Sequence, residues 1–227
     1  STISASTTTT TAYKVTADTT GTLVLQTGAT PTTAVTIDAS QKVTFAYPPT
    51  ATGGGSQASN TAYGTSALAS NTSGVNNTGI GYQALFTNSV GYENTAVGKG
   101  ALYTNTGNDN TGVGYGALSV NGAGANNTGV GAYALQNQTT ANGNTAFGSF
   151  TATALTTRGS VTAIGAGAMR YATDASDACT AVGYNALYNN NGAYNTAFGF
   201  GALQANTSGS SNTAGGLNAM QANTTGA

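Results

Sequence analysis

The chain has 227 residues, of which only five are basic and six acidic, and it contains no histidine. With so few cations there is no basic patch to hold nucleic-acid phosphates, and no polybasic or amphipathic segment addresses a membrane surface. No apolar run is long enough to span a bilayer, and the first residues do not read as a secretory signal.

The first fifty residues carry period-two stretches at 12–17, 21–27, 33–37 and 42–47, separated by turn chemistry such as Asp18-Thr-Thr-Gly21 and Thr27-Gly-Ala-Thr-Pro31. The alternation predicts four short strands. Pro48-Pro49 stops the last one, and the glycine-rich stretch 51–59 reads as a flexible joint. A segment of 1–50 is too small to bury much core alone, so it is expected to be shared among subunits or docked on another protein.

From Asn60 onward a five-residue phrase returns ten times: a cap residue, Thr, Ala or Gly, an apolar residue in every copy but the last, which has Gly215, then Gly. The cap positions are Asn60, Asn77, Asn94, Asn110, Asn127, Asn144, Val161, Cys179, Asn195 and Asn212, spaced 16 to 18 residues apart. A period this regular marks a repeat architecture. Seven and eight residues after the cap comes Ala followed by Leu or Met, except in the copy starting at Asn144, where the pair arrives three residues late, at Ala154-Leu155.

Seventeen residues cannot hold two helices and a turn, and Thr, Val, Gly and Asn are poor helix formers. The unit suits one coil of a β-solenoid or β-roll, so residues 60–227 are predicted to form an all-β rod of about ten coils. In each short strand the alternation puts Thr and the apolar residue on one face and the Ala/Gly positions on the other. If the apolar residues face inward, the Thr column becomes a buried hydroxyl ladder. The bare Ala/Gly face would then pack against other chains, because Gly in a strand often marks close approach of another backbone. That reading makes the protein a homo-oligomer, with a trimer favoured. The other reading is that the Gly column turns the chain at a corner.

Cys179 is the only cysteine and stands in a cap position, so no disulfide framework supports the fold. No metal-ligand cluster and no cofactor motif are present. Gly pairs such as Gly112-Val-Gly114 imitate phosphate loops, but they recur in every coil and no helix follows. The nearest carboxylates in the array, Asp174 and Asp177, lie in a turn-like segment and read as solvated loop acids, so no catalytic role is expected. The register breaks between Ser149 and Cys179, where Arg158, Arg170, Tyr171, Asp174 and Asp177 gather. Irregular loops on a rigid scaffold commonly carry recognition, and Arg and Tyr suit contacts with glycans or proteins, so these five are the candidate receptor contacts. A packing irregularity with no ligand is the alternative. Tyr82, Tyr115 and Tyr184, all five residues after a cap, form a weaker set.

The stretch 16–40 resembles N-terminal segments of bacteriophage tail fibre proteins, and phrases such as Asn94-Thr-Ala-Val-Gly and Asn195-Thr-Ala-Phe-Gly-Phe-Gly-Ala-Leu203 are similar to repeats of tail-fibre-domain proteins from phages and bacteria. More distantly, the array resembles head repeats of trimeric autotransporter adhesins. The resemblance implies a trimeric structural fibre on a virion. In such a fibre the N-terminal segment attaches to another virion protein, and the rod meets a host cell-surface glycan or protein. It departs from the family in two respects. Adhesin head repeats are shorter, and many such fibres end in a self-cleaving chaperone domain, whereas nothing after Asn212 resembles one. The chain is therefore expected to be either a processed product or a fibre that trimerises by another route. Two alternatives remain: a bacterial surface adhesin or appendage subunit, and an ice-binding solenoid, to which the unbroken Thr column points and against which an inward-facing Thr would count.

Overall fold

A computed structural model describes residues 59–173 and 177–226 in full and, before them, the backbone of four strands. The chain divides into two compact units, Ser1–Pro49 and Thr50–Ala227. The first contains β1 (Lys14–Ala17), β2 (Leu23–Thr27), β3 (Thr32–Ile37) and β4 (Val43–Phe45), joined as an antiparallel meander. All four sequence-predicted strands are present, each within two residues of its expected limits. The joint at 51–59 lies almost wholly outside the described residues.

The second unit is an all-β solenoid. Its ten strands are β5 (Thr61–Tyr63), β6 (Thr78–Ile80), β7 (Thr95–Val97), β8 (Thr111–Val113), β9 (Thr128–Val130), β10 (Thr145–Phe147), β11 (Thr162–Ile164), β12 (Thr180–Val182), β13 (Thr196–Phe198) and β14 (Thr213–Gly215). They form one sheet in sequence order, β5 to β14, with every neighbouring pair parallel. The register puts Thr on Thr throughout, as in Thr111 opposite Thr128 and Val113 opposite Val130. Parallel neighbours require a crossover between them, and here the crossover is the remainder of each coil, which adds its own inter-coil bonds. Leu102 N donates to Ala117 O at 2.9 Å, Thr104 N to Ser119 O at 2.9 Å and Gly116 N to Lys99 O at 3.0 Å.

The faces of the strands are the reverse of those expected. In every strand the central Ala or Gly points into the coil, while Thr and the apolar residue point out. Ala96, Ala146 and Ala197 are fully buried, whereas Tyr63 and Phe198 are each 66% exposed. The bare face is thus the interior of the solenoid itself, and the argument that it packs between subunits falls. The reason lies in what fills the coil. The Leu of the Ala-Leu phrase enters from the opposite wall, as at Leu85, Leu102, Leu118 and Leu135, all fully buried. In the glycine-centred strands the room left for a side chain is small: a Cβ at Gly112 would sit 3.2 Å from Leu102 Cγ.

The Gly that closes each phrase is a corner. Gly114 has φ +130°, and a Cβ there would lie 2.6 Å from Gly131 O in the next coil. Both backbone conformation and space therefore demand glycine. The Leu column is strained in its own way: Leu118 has φ +51°. A left-handed residue costs roughly 1–2 kcal/mol, while burying a leucine contributes about 1.5–3 kcal/mol, so burial carries the strain.

Two asparagine ladders run along the interior beside the leucines. In the first, each cap Asn accepts from the backbone N–H of the next cap and donates to a carbonyl 13 or 14 residues on. Asn127 N donates to Asn110 Oδ1 at 3.0 Å, and Asn110 Nδ2 donates to Gly124 O at 2.8 Å. The second ladder stands 11 residues after the cap. Asn105 Nδ2 donates to Asn88 Oδ1 at 3.1 Å and Asn121 Nδ2 to Asn105 Oδ1 at 2.8 Å. These buried amides satisfy backbone groups at the turns that the short strands leave unpaired, which is the condition for burying them.

The copy starting at Asn144 does not slip. Thr151-Ala152 occupies the Ala-Leu position: Leu135 N donates to Thr151 O at 2.9 Å and Ala152 N to Ala168 O at 2.9 Å. Leu155 instead takes the place of the second-ladder Asn and is fully buried. The late Ala-Leu pair therefore exchanges two interior positions and leaves the coil in phase.

Candidate recognition surfaces

Between β9 and β12 both ladders are interrupted. The first ladder carries Val161 and Cys179, and the second carries Gln138, Leu155 and Ala172, all buried. Gln138 is one methylene longer than Asn. Its Oε1 accepts from Asn144 Nδ2 at 3.3 Å, and its Nε2 is left without a hydrogen-bond partner. Cys179 imitates the asparagine it replaces: its sulfur accepts from Asn195 N at 3.4 Å and lies 3.4 Å from Gly192 O. Burial, ahead of its other contacts, pushes the Cys179 thiol above its ordinary value.

The five candidate contacts from the sequence divide. Arg158 and Asp177 form an ion pair at 3.8 Å between partly exposed side chains. The Arg158 carbonyl also accepts from the buried Asn144 Nδ2 at 2.9 Å, which ties this loop to the first ladder. Arg170 lies over the rings of Phe150, 4.5 Å from the centroid, and Tyr171, at 5.3 Å. Tyr171 packs edge-on against Tyr188 at 5.0 Å. Burial and then a hydrogen bond with Tyr171 hold the Tyr188 phenol above its ordinary value. Asp174 lies outside the described residues. The cluster read from the sequence is thus an exposed ion pair and, separately, an arginine laid on aromatic rings.

Sequence reasoning missed a larger feature. Side chains five, six and nine residues after the caps stand on the same wall of successive coils, and aromatics in these columns meet. Phe86 stacks on Tyr103 with centroids 5.1 Å apart, Tyr115 meets Tyr133 edge-on at 5.0 Å, and Tyr133 stacks on Phe150 at 5.2 Å. Further along, Tyr184 stacks on Phe200 at 5.1 Å. Read one column at a time the residues are too mixed to signal anything; the three columns taken together carry an aromatic residue in seven of the ten coils. Lys99 sits in this lane with its Nζ 5.7 Å from the centroids of both Tyr82 and Tyr115.

The third surface is the outer face of the sheet. Thr and apolar side chains of β5–β14 form two parallel columns, with Ile80, Phe147 and Ile164 exposed beside Tyr63 and Phe198. Nine intervals of about 4.8 Å make this stripe roughly 43 Å long. Among the described residues no group of three His, Cys, Asp or Glu side chains could hold a metal ion, and no helix is long and apolar enough to cross a membrane. Compared with known proteins, the chain matches no family model, no curated protein and no solved structure.

Proposed function

We propose that this chain is a structural fibre protein of a phage particle, and that it has no enzymatic role. Its N-terminal strands attach to another virion protein, its solenoid is a stiff spacer, and side chains on the wall of the solenoid meet a glycan or protein on the host surface. The observation that carries the reading is the outward apolar column, continuous over the sheet from Tyr63 to Phe198. A contiguous exposed apolar stripe of this length marks an interaction surface. Its in-register repetition favours a partner with the same repeat, that is, further copies of this chain, with three as the expected number. The tail-fibre resemblance of the repeats supports the same assignment. The receptor contacts read from the sequence, Arg158, Arg170, Tyr171, Asp174 and Asp177, remain candidates within it.

Light scattering on the purified chain, with and without unheated SDS, tests the proposal. A trimer that survives the detergent is expected, and a monomer would overturn the fibre reading.

A second reading, an ice-binding solenoid, is favoured by one observation: Thr faces outward in all ten strands, beside an apolar residue in nine of them, so the hydroxyl column is available to solvent. The bulky rings of Tyr63, Phe147 and Phe198 interrupt a flat array, which is why the fibre comes first. Thermal hysteresis in a solution of the monomer would reverse that order.

A further inference from the structure

The lane around Lys99 contains a groove that the candidate receptor contacts do not include. It encloses about 240 Å3 and is lined by Gln83, Lys99, Tyr103, Tyr115, Ser119 and Tyr133, with Gly100 and Gly116 between them. The glycines open it. A Cβ at Gly100 would meet nothing within 4 Å, whereas one at Gly116 would lie 3.0 Å from the ring of Tyr133, so glycine there lets that ring lie against the backbone. A hydrogen bond with Tyr115 and then burial hold the Tyr133 phenol above its ordinary value.

Lys99 is exposed, held against two rings, and among the described residues no carboxylate lies within ion-pair distance of it. A cation fixed on aromatic faces, beside hydroxyl and amide groups, fits a ligand with flat apolar C–H faces, many hydroxyls and one negative charge. We propose that this groove binds an acidic oligosaccharide, with sugar faces on Tyr115 and Tyr103 and a carboxylate on Lys99. The volume lies below the roughly 300–1,000 Å3 of enclosing ligand sites, which fits one or two rings of a chain lying along the groove. A single-stranded nucleic acid is the less suitable occupant, because it needs repeated phosphate neutralisation. Here one lysine stands in a protein of net charge −1, with Glu93 and Asp109 exposed on the neighbouring turns.

This inference deepens the host-recognition reading and rests on it for its biological meaning, but it is tested separately. The full chain is titrated by calorimetry with tetragalacturonate and with sialyllactose, each beside its neutral methyl ester, and with an oligothymidylate. At least one acid should bind tenfold or more tightly than its ester. Lys99→Gln should remove that preference, Tyr115→Ala should weaken both acid and ester by at least fivefold, and Tyr184→Ala, outside the groove, should change neither. Overturning results would be that no acidic sugar binds, that binding is indifferent to Lys99→Gln, or that the oligothymidylate binds more tightly. Light scattering on the same samples separates the two claims. A trimer that binds no acidic sugar sinks the groove and leaves the fibre, while a monomer that binds it sinks the fibre and leaves the groove.

Discussion

With the coils numbered from the cap Asn60, coils 2 to 5 and coils 6 to 8 have the same backbone register and different interiors. In the former, Asn77, Asn94, Asn110 and Asn127 run as one ladder beside Asn88, Asn105 and Asn121 as the other, with cross-links such as Asn110 Nδ2 to Asn105 Oδ1 at 3.2 Å. In the latter, Leu155, Val161, Ala172 and Cys179 replace amides with apolar or weakly polar groups. The sheet continues through both without a slip. The register is therefore set by backbone bonds and by the Gly corner, and each coil can satisfy its interior independently. This is the behaviour of a quasi-one-dimensional array, where stability is a sum over coils and their neighbours.

The largest expected effect comes from breaking a ladder in the regular region. Asn127→Ala removes the acceptor for Asn144 N, at 3.0 Å, and the donor to Ala141 O, at 2.7 Å. Each buried group left unpaired costs about 1–3 kcal/mol, so two should lower the unfolding free energy by about 2–6 kcal/mol. The equivalent truncation in the irregular region, Val161→Ala, should cost about 1 kcal/mol, because it removes only apolar atoms. Denaturant melts of the two variants test the contrast, and equal losses would show that the amides are not what holds the regular coils.

Leu118→Ala empties a buried position and should cost about 2–5 kcal/mol. Ala152→Leu places a leucine in the same column of coil 6, where Leu155 already fills the interior, and should cost about 1–3 kcal/mol by overpacking. Adding Leu155→Asn to it rebuilds the regular pattern and should recover most of that loss. Thermal melts of the single and double variants measure the recovery. A double variant no better than the single would mean that Leu155 and position 152 do not compete for space.

The period, the ten strands and the all-β class were legible because Thr and Gly recur without exception. The direction each strand faces was not. A three-residue strand has one residue on one side and two on the other, and hydrophobicity favoured the wrong two. The interior is so narrow that Leu102 and the Ala117 carbonyl leave room only for Gly112 on the strand. Of the two readings of the closing glycine, the corner is the one the structure shows, because Gly114 is demanded by φ and by Gly131 of the next coil. The aromatic lane was hidden because it is spread over three columns, and Lys99 became a candidate only when Tyr82 and Tyr115 were found on either side of it. Of the predicted contacts, the structure brings Arg158 and Asp177 together as an ion pair between successive coils.

Cys179 offers the smallest and most discriminating change. It occupies an amide's position with a sulfur that makes long contacts to Asn195 N and Gly192 O. Cys179→Asn should restore normal hydrogen bonds there and raise stability by about 0.5–1.5 kcal/mol. It should also change the pH response. Burial raises the folded-state pKa of the thiol above its unfolded value, so the neutral thiol's contribution is complete below the ordinary value of about 8.5 and is lost as pH rises toward the folded-state value. The wild-type chain should therefore lose stability above about pH 8.5 by an increment that the asparagine variant does not show. Parallel thermal melts from pH 7 to pH 10 isolate that increment, because the tyrosines and lysines titrate alike in both proteins. Parallel losses in the two would mean that the sulfur meets solvent through local opening of coil 8, and the irregular coils would then differ from the regular ones in dynamics as well as in filling.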